Sequence, residues 1–167
     1  MQRRARIGLI SDTHGLLRPE AVAALHGSDR IVHAGDVGHP GILDALAMVA
    51  PVVAVRGNND RDAWVAGLPS IARVNVADVR LLVIHDLAQL DRDPAAESVD
   101  VVVAGHSHRP WIERRDGVLY VNPGSAGPRR FRLPVAVAML EISGARVEAR
   151  AIELDRTKQA RPRSIAG

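Results

Sequence analysis

Ile31-Val32-His33-Ala34-Gly35-Asp36 is an apolar run that stops at a glycine and a carboxylate, and the same kind of ending recurs along the chain. Residues 7–10 run into Ser11-Asp12-Thr13-His14, residues 52–55 into Arg56-Gly57-Asn58, residues 81–84 into His85, and residues 101–104 into Gly105-His106-Ser107-His108. Short Val/Ile/Leu-rich runs without alternation read as strands buried on both faces. In open α/β sheets, ligands collect outside the carboxyl ends of such strands. Five runs that each end in a nitrogen or oxygen donor therefore describe one site.

Working outward from these runs, residues 6–10 are predicted as the first strand, and Pro19 opens a helix to Leu25 that Gly27 ends. The strand at 31–34 leads into a second helix at 42–49, bounded by Pro40-Gly41 and Pro51. The order strand, helix, strand, helix, strand favours parallel units with right-handed crossovers. After Asn58 the pattern changes. Residues 71–76 alternate, Ala77-Asp78 makes a turn, and 79–84 returns, as in an antiparallel hairpin. A helical segment is expected around 94–98, before the run at 101–104. Asp116-Gly117 between 111–115 and 118–121 is a strong hairpin signal, and 134–142 and 146–154 form a final hairpin. About ten strands and a few helices suffice for an α/β fold, a four-layer α-β-β-α sandwich of two mixed β-sheets flanked by helices.

The 167 residues fit one domain. No internal repeat or linker divides them; residues 1–154 are read as the domain and 155–167 as a basic, flexible tail. Apolar content of 47% with 2% aromatics means that Val, Ala, Leu and Ile fill the core. With no cysteine, disulfides and thiolate metal sites are excluded, so any metal is held by N and O ligands. The net charge of +3 fits an anionic substrate and is weak support for nucleic acid. No nucleic-acid reader motif is recognised. Arg3-Arg4 precedes an apolar stretch too short for a signal segment, and no run is long enough for a bilayer, so a cytoplasmic protein that makes no membrane contact is expected.

Asp12 and His14 sit two apart where a strand gives way to a loop. Alone, Asp-x-His reads as well as a turn carboxylate beside a solvated histidine, Gly57-Asn58-Asn59-Asp60 as a turn, and His85 as a buried histidine. Gly105-His106-Ser107-His108 is more specific, because two imidazoles after a glycine are hard to explain by packing. Seven donors at the ends of five strands outweigh the separate readings.

In order, Asp-x-His, Gly-Asp, Gly-Asn, His and Gly-His-x-His resemble the signature of the calcineurin-like metallophosphoesterases. Asn122-Pro123-Gly124-Ser125 is similar to the small branch of that family, which holds bacterial and archaeal phosphodiesterases and the retromer subunit of the same fold. The resemblance assigns Asp12, His14, Asp36 and His108 to one divalent ion, and Asp36, Asn58, His85 and His106 to a second, with Asp36 as the bridge. It implies a phosphodiesterase acting on a phosphate-ester or nucleotide-like substrate, with a metal-bridging hydroxide as in-line nucleophile. Asp36, Asn58 and His106 would position metal and phosphate. Mn is the expected activating ion in assays, with Fe, Zn, Ni or Co as alternatives. Two such ions, two carboxylates and one hydroxide leave a centre of about +1 facing the phosphate. The small branch's habits make a homodimer reasonable.

Two positions depart from the pattern. Larger members carry a histidine after the ligand asparagine to protonate the leaving group; here it is Asn59, so aryl phosphodiesters are expected to be cleaved and alkyl monoesters poorly. After His85 the small branch often has Gly-His, whereas this chain has Asp86-Leu87. His39 is a candidate proton donor, His33 reads as a buried support and His26 as a solvated helix end. Arg61 is read as a partner of Asp60 or of substrate, and Arg129 and Arg130 as phosphate contacts or a solvated face. The rival reading is a non-catalytic interaction scaffold of the same fold with a weak or vestigial metal site.

Overall fold

In the computed structural model, residues 3–154 are described, so the tail at 155–167 lies outside the described residues. The chain forms β1 (Arg4–Ile10), α1 (Pro19–Leu25), β2 (Arg30–His33), α2 (Pro40–Ala47), β3 (Val52–Ala54), β4 (Ile71–Val76) and β5 (Val79–Ile84). It continues through β6 (Val101–Val103), β7 (Trp111–Arg115), β8 (Val118–Asn122), β9 (Ala136–Ser143) and β10 (Arg146–Glu153). Short 3-10 turns at Ala63–Gly67 and Leu87–Gln89 complete the order.

Two five-stranded sheets result, ordered β10-β9-β1-β2-β3 and β4-β5-β6-β8-β7. Both are mixed. In the first, β1, β2 and β3 run parallel, β9 runs against them, and the edge strand β10, antiparallel to β9, returns to their direction. In the second, β5, β6 and β8 run parallel between antiparallel edges. The expected α/β sandwich is therefore present.

The period of two sends alternate residues of β1 to opposite layers. Ile7 and Leu9 face the space between the sheets with Val32, Leu81, Val83, Val101, Val103 and Leu140. Ile10 faces outward, with Ile31 and Val137, under the two helices. Each helix buries a pair four residues apart, Ala21 and Leu25 in α1, Ile42 and Leu46 in α2. Helices of seven and eight residues are marginal alone, so this burial holds them, at about 1.5–3 kcal/mol for each fully buried Leu or Ile.

Two local expectations are corrected. The second helix starts at Pro40 rather than residue 42, because proline is suited to the first helical position and the His39 ring caps the turn by accepting from Gly41 N–H at 3.0 Å. The helical segment expected at 94–98 is a set of turns, closed by Val99 N–H to Pro94 O at 2.9 Å and ended by Ser98 at φ 58. Its few residues offer no spaced apolar pair to stabilise a nucleus. The outer face of the second sheet, including Leu82, Val102 and Tyr120, is covered instead by Leu87, Leu90 and Val99 from the connection between β5 and β6. Among the described residues, no helix is long and apolar enough to cross a membrane.

Candidate metal centre

The parallel strands of both sheets end at one edge of the sandwich, and the donor-bearing segments follow those ends. The pairing of β1 with β2 continues into their loops, where Asp12 N–H bonds Gly35 O at 3.0 Å and His14 N–H bonds Asp36 O at 2.9 Å. The segment after β6 is tied to that after β5 by Gly105 N–H to His85 O at 2.9 Å.

Seven side chains converge here. His108 Nε2 stands 3.3 Å from both Asp12 Oδ1 and His14 Nε2. His14 Nε2 is 3.7 Å from Asp36 Oδ2, and His85 Nε2 is 3.4 Å from the same oxygen. Asn58 Oδ1 is 3.1 Å from both His85 Nε2 and His106 Nδ1. The donor atoms of Asp12, His14 and His108 lie within 4.8 Å of one another, as do those of Asp12, Asp36 and His85. Donors bonded to an ion at about 2.0–2.2 Å stand about 3 to 3.5 Å apart, so these spacings suit a shared ion. Asp12 belongs to both groups, and Asp36 faces a histidine from each, whereas His106 meets the cluster through Asn58.

Asp12 supplies the test of fit. Its Oδ2 accepts from Ser11 Oγ at 2.7 Å and from His106 N–H at 3.1 Å. Its Oδ1 is buried and has no hydrogen-bond partner, as does His108 Nδ1. An unpaired buried carboxylate oxygen ringed by three imidazole Nε2 atoms is a costly arrangement for protein alone and a natural one for a cation site. The donor set of His, Asp and Asn suits a divalent transition ion.

The surroundings orient these donors. His85 Nδ1 donates to Ala34 O at 2.7 Å, which leaves Nε2 to face the cluster. Burial alone would lower the His85 pKa, but the Asp36 and Ala34 hydrogen bonds and the charges of Asp12 and Asp36 more than offset it, and the net shift is upward. Burial would raise Asp36; bonds from His85 and Asn59 reverse this and hold its carboxyl well below the usual range. His14 is lowered by burial, against Asp36 and Asp12, with His108 and Arg130 adding to the lowering.

Backbone geometry marks the same residues. Asp12, His14, Asp36, His106 and His108 all have positive φ, between 46 and 70°. Non-glycine residues rarely adopt this conformation, and it concentrates at functional sites. The glycines before two donors are required by close approach: a Cβ on Gly57 would lie 2.1 Å from Asp36 Oδ1, and one on Gly105 would lie 2.0 Å from Ser11 Oγ.

Several supports were not legible beforehand. Asn59 clamps Asp36, its backbone N–H on Oδ1 and its amide on Oδ2, both at 2.9 Å. Asp60, read as a turn residue, is 7% exposed and accepts from the N–H groups of Val37, Gly38 and Gly57 at 2.9–3.1 Å. It is not the partner of Arg61, whose Nε donates to Asn58 O at 3.1 Å. Asn122 braces the β6 loop, its amide donating to Gly105 O at 2.8 Å and Ser107 Oγ at 3.0 Å. Asp86 lies 3.8 Å from His106 Nε2, on the far side of the ring from Asn58, and also accepts from Ala88 N–H. His33 is fully buried against Thr13, and His26 is exposed at the helix end, as read from the sequence. His39 is exposed and spends its Nδ1 on the cap of α2. The signals for Asp60 and Asn59 were adjacency to Asn58, which a turn reading absorbed.

Residues 5–145 match the model of the calcineurin-like phosphoesterase superfamily domain. A probable metallophosphoesterase of Methanothermobacter thermautotrophicus is 35% identical over 158 residues, covering 87% of this chain and 91% of that one. The phosphodiesterase YfcE of Escherichia coli is 33% identical over 155 residues, covering 78% and 84%. The structure of vacuolar protein sorting 29 from Cryptosporidium parvum superposes with a TM-score of 0.73 over 90% of this chain and 97% of that one, at 18% identity, a likeness of fold.

Proposed function

Given that this chain belongs to the calcineurin-like phosphoesterase superfamily, we propose that it is a binuclear phosphodiesterase, in which Asp12, His14, Asp36 and His108 would hold one divalent ion and Asp36, Asn58, His85 and His106 the other. The observation that carries the proposal is the unpaired, buried Asp12 Oδ1 facing three imidazole nitrogens. When bound, such ions lower the pKa of water and draw charge from phosphoryl oxygens. Manganese is the ion we would supply first.

The chain's own residues prepare the reaction. His85 is aimed by Ala34 O, Asp36 by Asn59, and the Asn58 loop by Asp60, so the donors need little rearrangement. Water, its proton passing to solvent, attacks phosphorus in line with the ester oxygen; the new P–O bond forms as the old one breaks, and the ester oxygen leaves as its anion. Asn59 cannot give that oxygen a proton, and its amide is already committed to Asp36. His39 is committed to its helix cap and is left out of the chemistry. Good leaving groups are therefore favoured, and aryl diesters should turn over much faster than alkyl monoesters.

The test is hydrolysis of bis(p-nitrophenyl) phosphate by chelator-stripped protein as Mn²⁺ is restored, beside Asp36→Asn. Metal-dependent release of nitrophenolate, lost in the variant, is expected. No turnover with Mn²⁺, Ni²⁺, Co²⁺ or Zn²⁺ would favour the second reading, an interaction scaffold, for which the fold shared with vacuolar protein sorting 29 is the supporting observation.

A further inference from the structure

Beside the cluster, the segment after β8 lies against the Asp12 loop. Ser125 Oγ donates to Asp12 O and Ala126 N–H to Ser11 O, each at 3.0 Å. The Arg18 guanidinium donates to Gly127 O at 3.3 Å. From this anchor the chain projects residues 128–132, all exposed, before a turn closed by Leu133 N–H to Arg130 O at 3.2 Å. The projection reads Pro128-Arg129-Arg130-Phe131-Arg132 and starts two residues past Ala126, which is bonded to Ser11 beside Asp12.

Phe131 is the one phenylalanine in the chain, and it is 92% exposed. Its φ of 55° is left-handed, an outlier for a bulky residue. Nothing in packing asks for a ring there: the loop buries almost none of it, and the backbone would accept glycine more readily. An aromatic face among guanidinium groups is the combination that holds a nucleotide, the ring stacking on a base and the cations meeting phosphate. The last described residue, Leu154, donates its N–H to Val135 O at 2.8 Å, just past this loop.

Resting on the phosphodiesterase reading, we propose that residues 129–132 form a substrate-holding loop for nucleotidyl phosphodiesters, with Phe131 stacking a base of the arm that stays bound and Arg130 meeting an adjacent phosphate. The scarcity of aromatic residues is no obstacle, because one ring at the mouth of a reaction centre selects a substrate without any reader module.

Binding tests this apart from turnover. A fluorescein-labelled hexathymidylate is titrated with the full chain in EDTA, read by anisotropy, for wild type, Phe131→Gly, Phe131→Trp and Arg130→Ala. Stacking of this kind gives about five- to a hundredfold in affinity. We expect Phe131→Gly to weaken binding about tenfold with an undiminished melting temperature, and Phe131→Trp to restore it. Arg130→Ala should weaken binding and flatten its salt dependence. Equal affinity of wild type and Phe131→Gly, displacement of the probe from both by the same tripolyphosphate concentration, or no binding by wild type would overturn the proposal. Failure to cleave the aryl diester with probe binding intact would overturn the phosphodiesterase reading and leave the nucleotide loop standing.

Discussion

Asp60 touches no proposed donor atom, yet its carboxylate joins the Asp36 loop to the Asn58 loop through three backbone N–H groups. Asp60→Ala would leave three donors unpaired in a buried place, each costing about 1–3 kcal/mol. We expect a loss of at least about 3 kcal/mol in urea unfolding, together with weaker Mn²⁺ binding; a variant as stable as wild type would show that the loops hold without it. His33 makes a different prediction. Its Nδ1 accepts from Gly35 N–H at 3.2 Å, so Nε2 carries the proton toward Thr13 Oγ1 at 2.9 Å, whose own hydrogen goes to Val37 O at 2.8 Å. Neutrality suits both bonds. Burial pushes this imidazole down from 6.5 to about 4, against the attraction of Asp12 and Asp60. Between those values the unfolded chain takes up a proton that the folded chain refuses, so this group's contribution falls as pH drops through the window and levels off below about 4. It amounts to about 3 kcal/mol. His33→Gln should remove that part of the pH slope, measured as denaturant midpoints from pH 7 to 4 on chelated protein. His33 sits inside an apolar run and its burial was legible; the hydroxyl it would brace was not, since Thr13 reads only as the unnamed middle of Asp-x-His.

The elements repeat one device, a buried strand delivering a candidate donor, with a glycine just before it at Asp36, Asn58 and His106. Gly105 shows why the glycine matters, since an added methyl would meet Ser11 Oγ at 2.0 Å and Asp12 Oδ2 at 2.8 Å. Gly105→Ala should break the Ser11–Asp12 contact and weaken Mn²⁺ binding at least about tenfold, by the scale on which supporting contacts of metal ligands act. Gly67→Ala, where nothing lies within 4 Å of the added atom, is the control and should bind metal normally. Strands and hairpins were legible because burial on two faces and the Asp116-Gly117 turn leave local traces; both turn residues have positive φ, at 51 and 78°. Segment 94–98 was misread because composition permits a helix that no partner stabilises.

For the whole molecule, an ion that binds the folded chain alone adds about 2.7 kcal/mol at a hundredfold excess over its Kd. Mn²⁺ should therefore raise the melting temperature of chelated protein, and Asp36→Asn should lose most of that increment; equal melting with and without chelator would count against a metal centre. Because the His85 pKa is raised by its Asp36 and Ala34 hydrogen bonds and the Asp12 and Asp36 charges and Nε2 must be free to ligate, binding should release a proton and strengthen as pH rises. Calorimetry in buffers of different ionisation enthalpy reads that proton directly. By itself the sequence determined the donor types, their order and their placement after buried strands, because strand burial and glycine-donor pairs are local properties of a few consecutive residues. Only the tertiary structure decided that Asn59 and Asp60 serve Asp36 and its loop, that Asp86 stands beside His106, and that the segment leading to the exposed Phe131 is anchored on the Asp12 loop. Those are contacts between segments far apart in the chain, set by how two sheets pack and where their loops meet, and no window of sequence contains both partners.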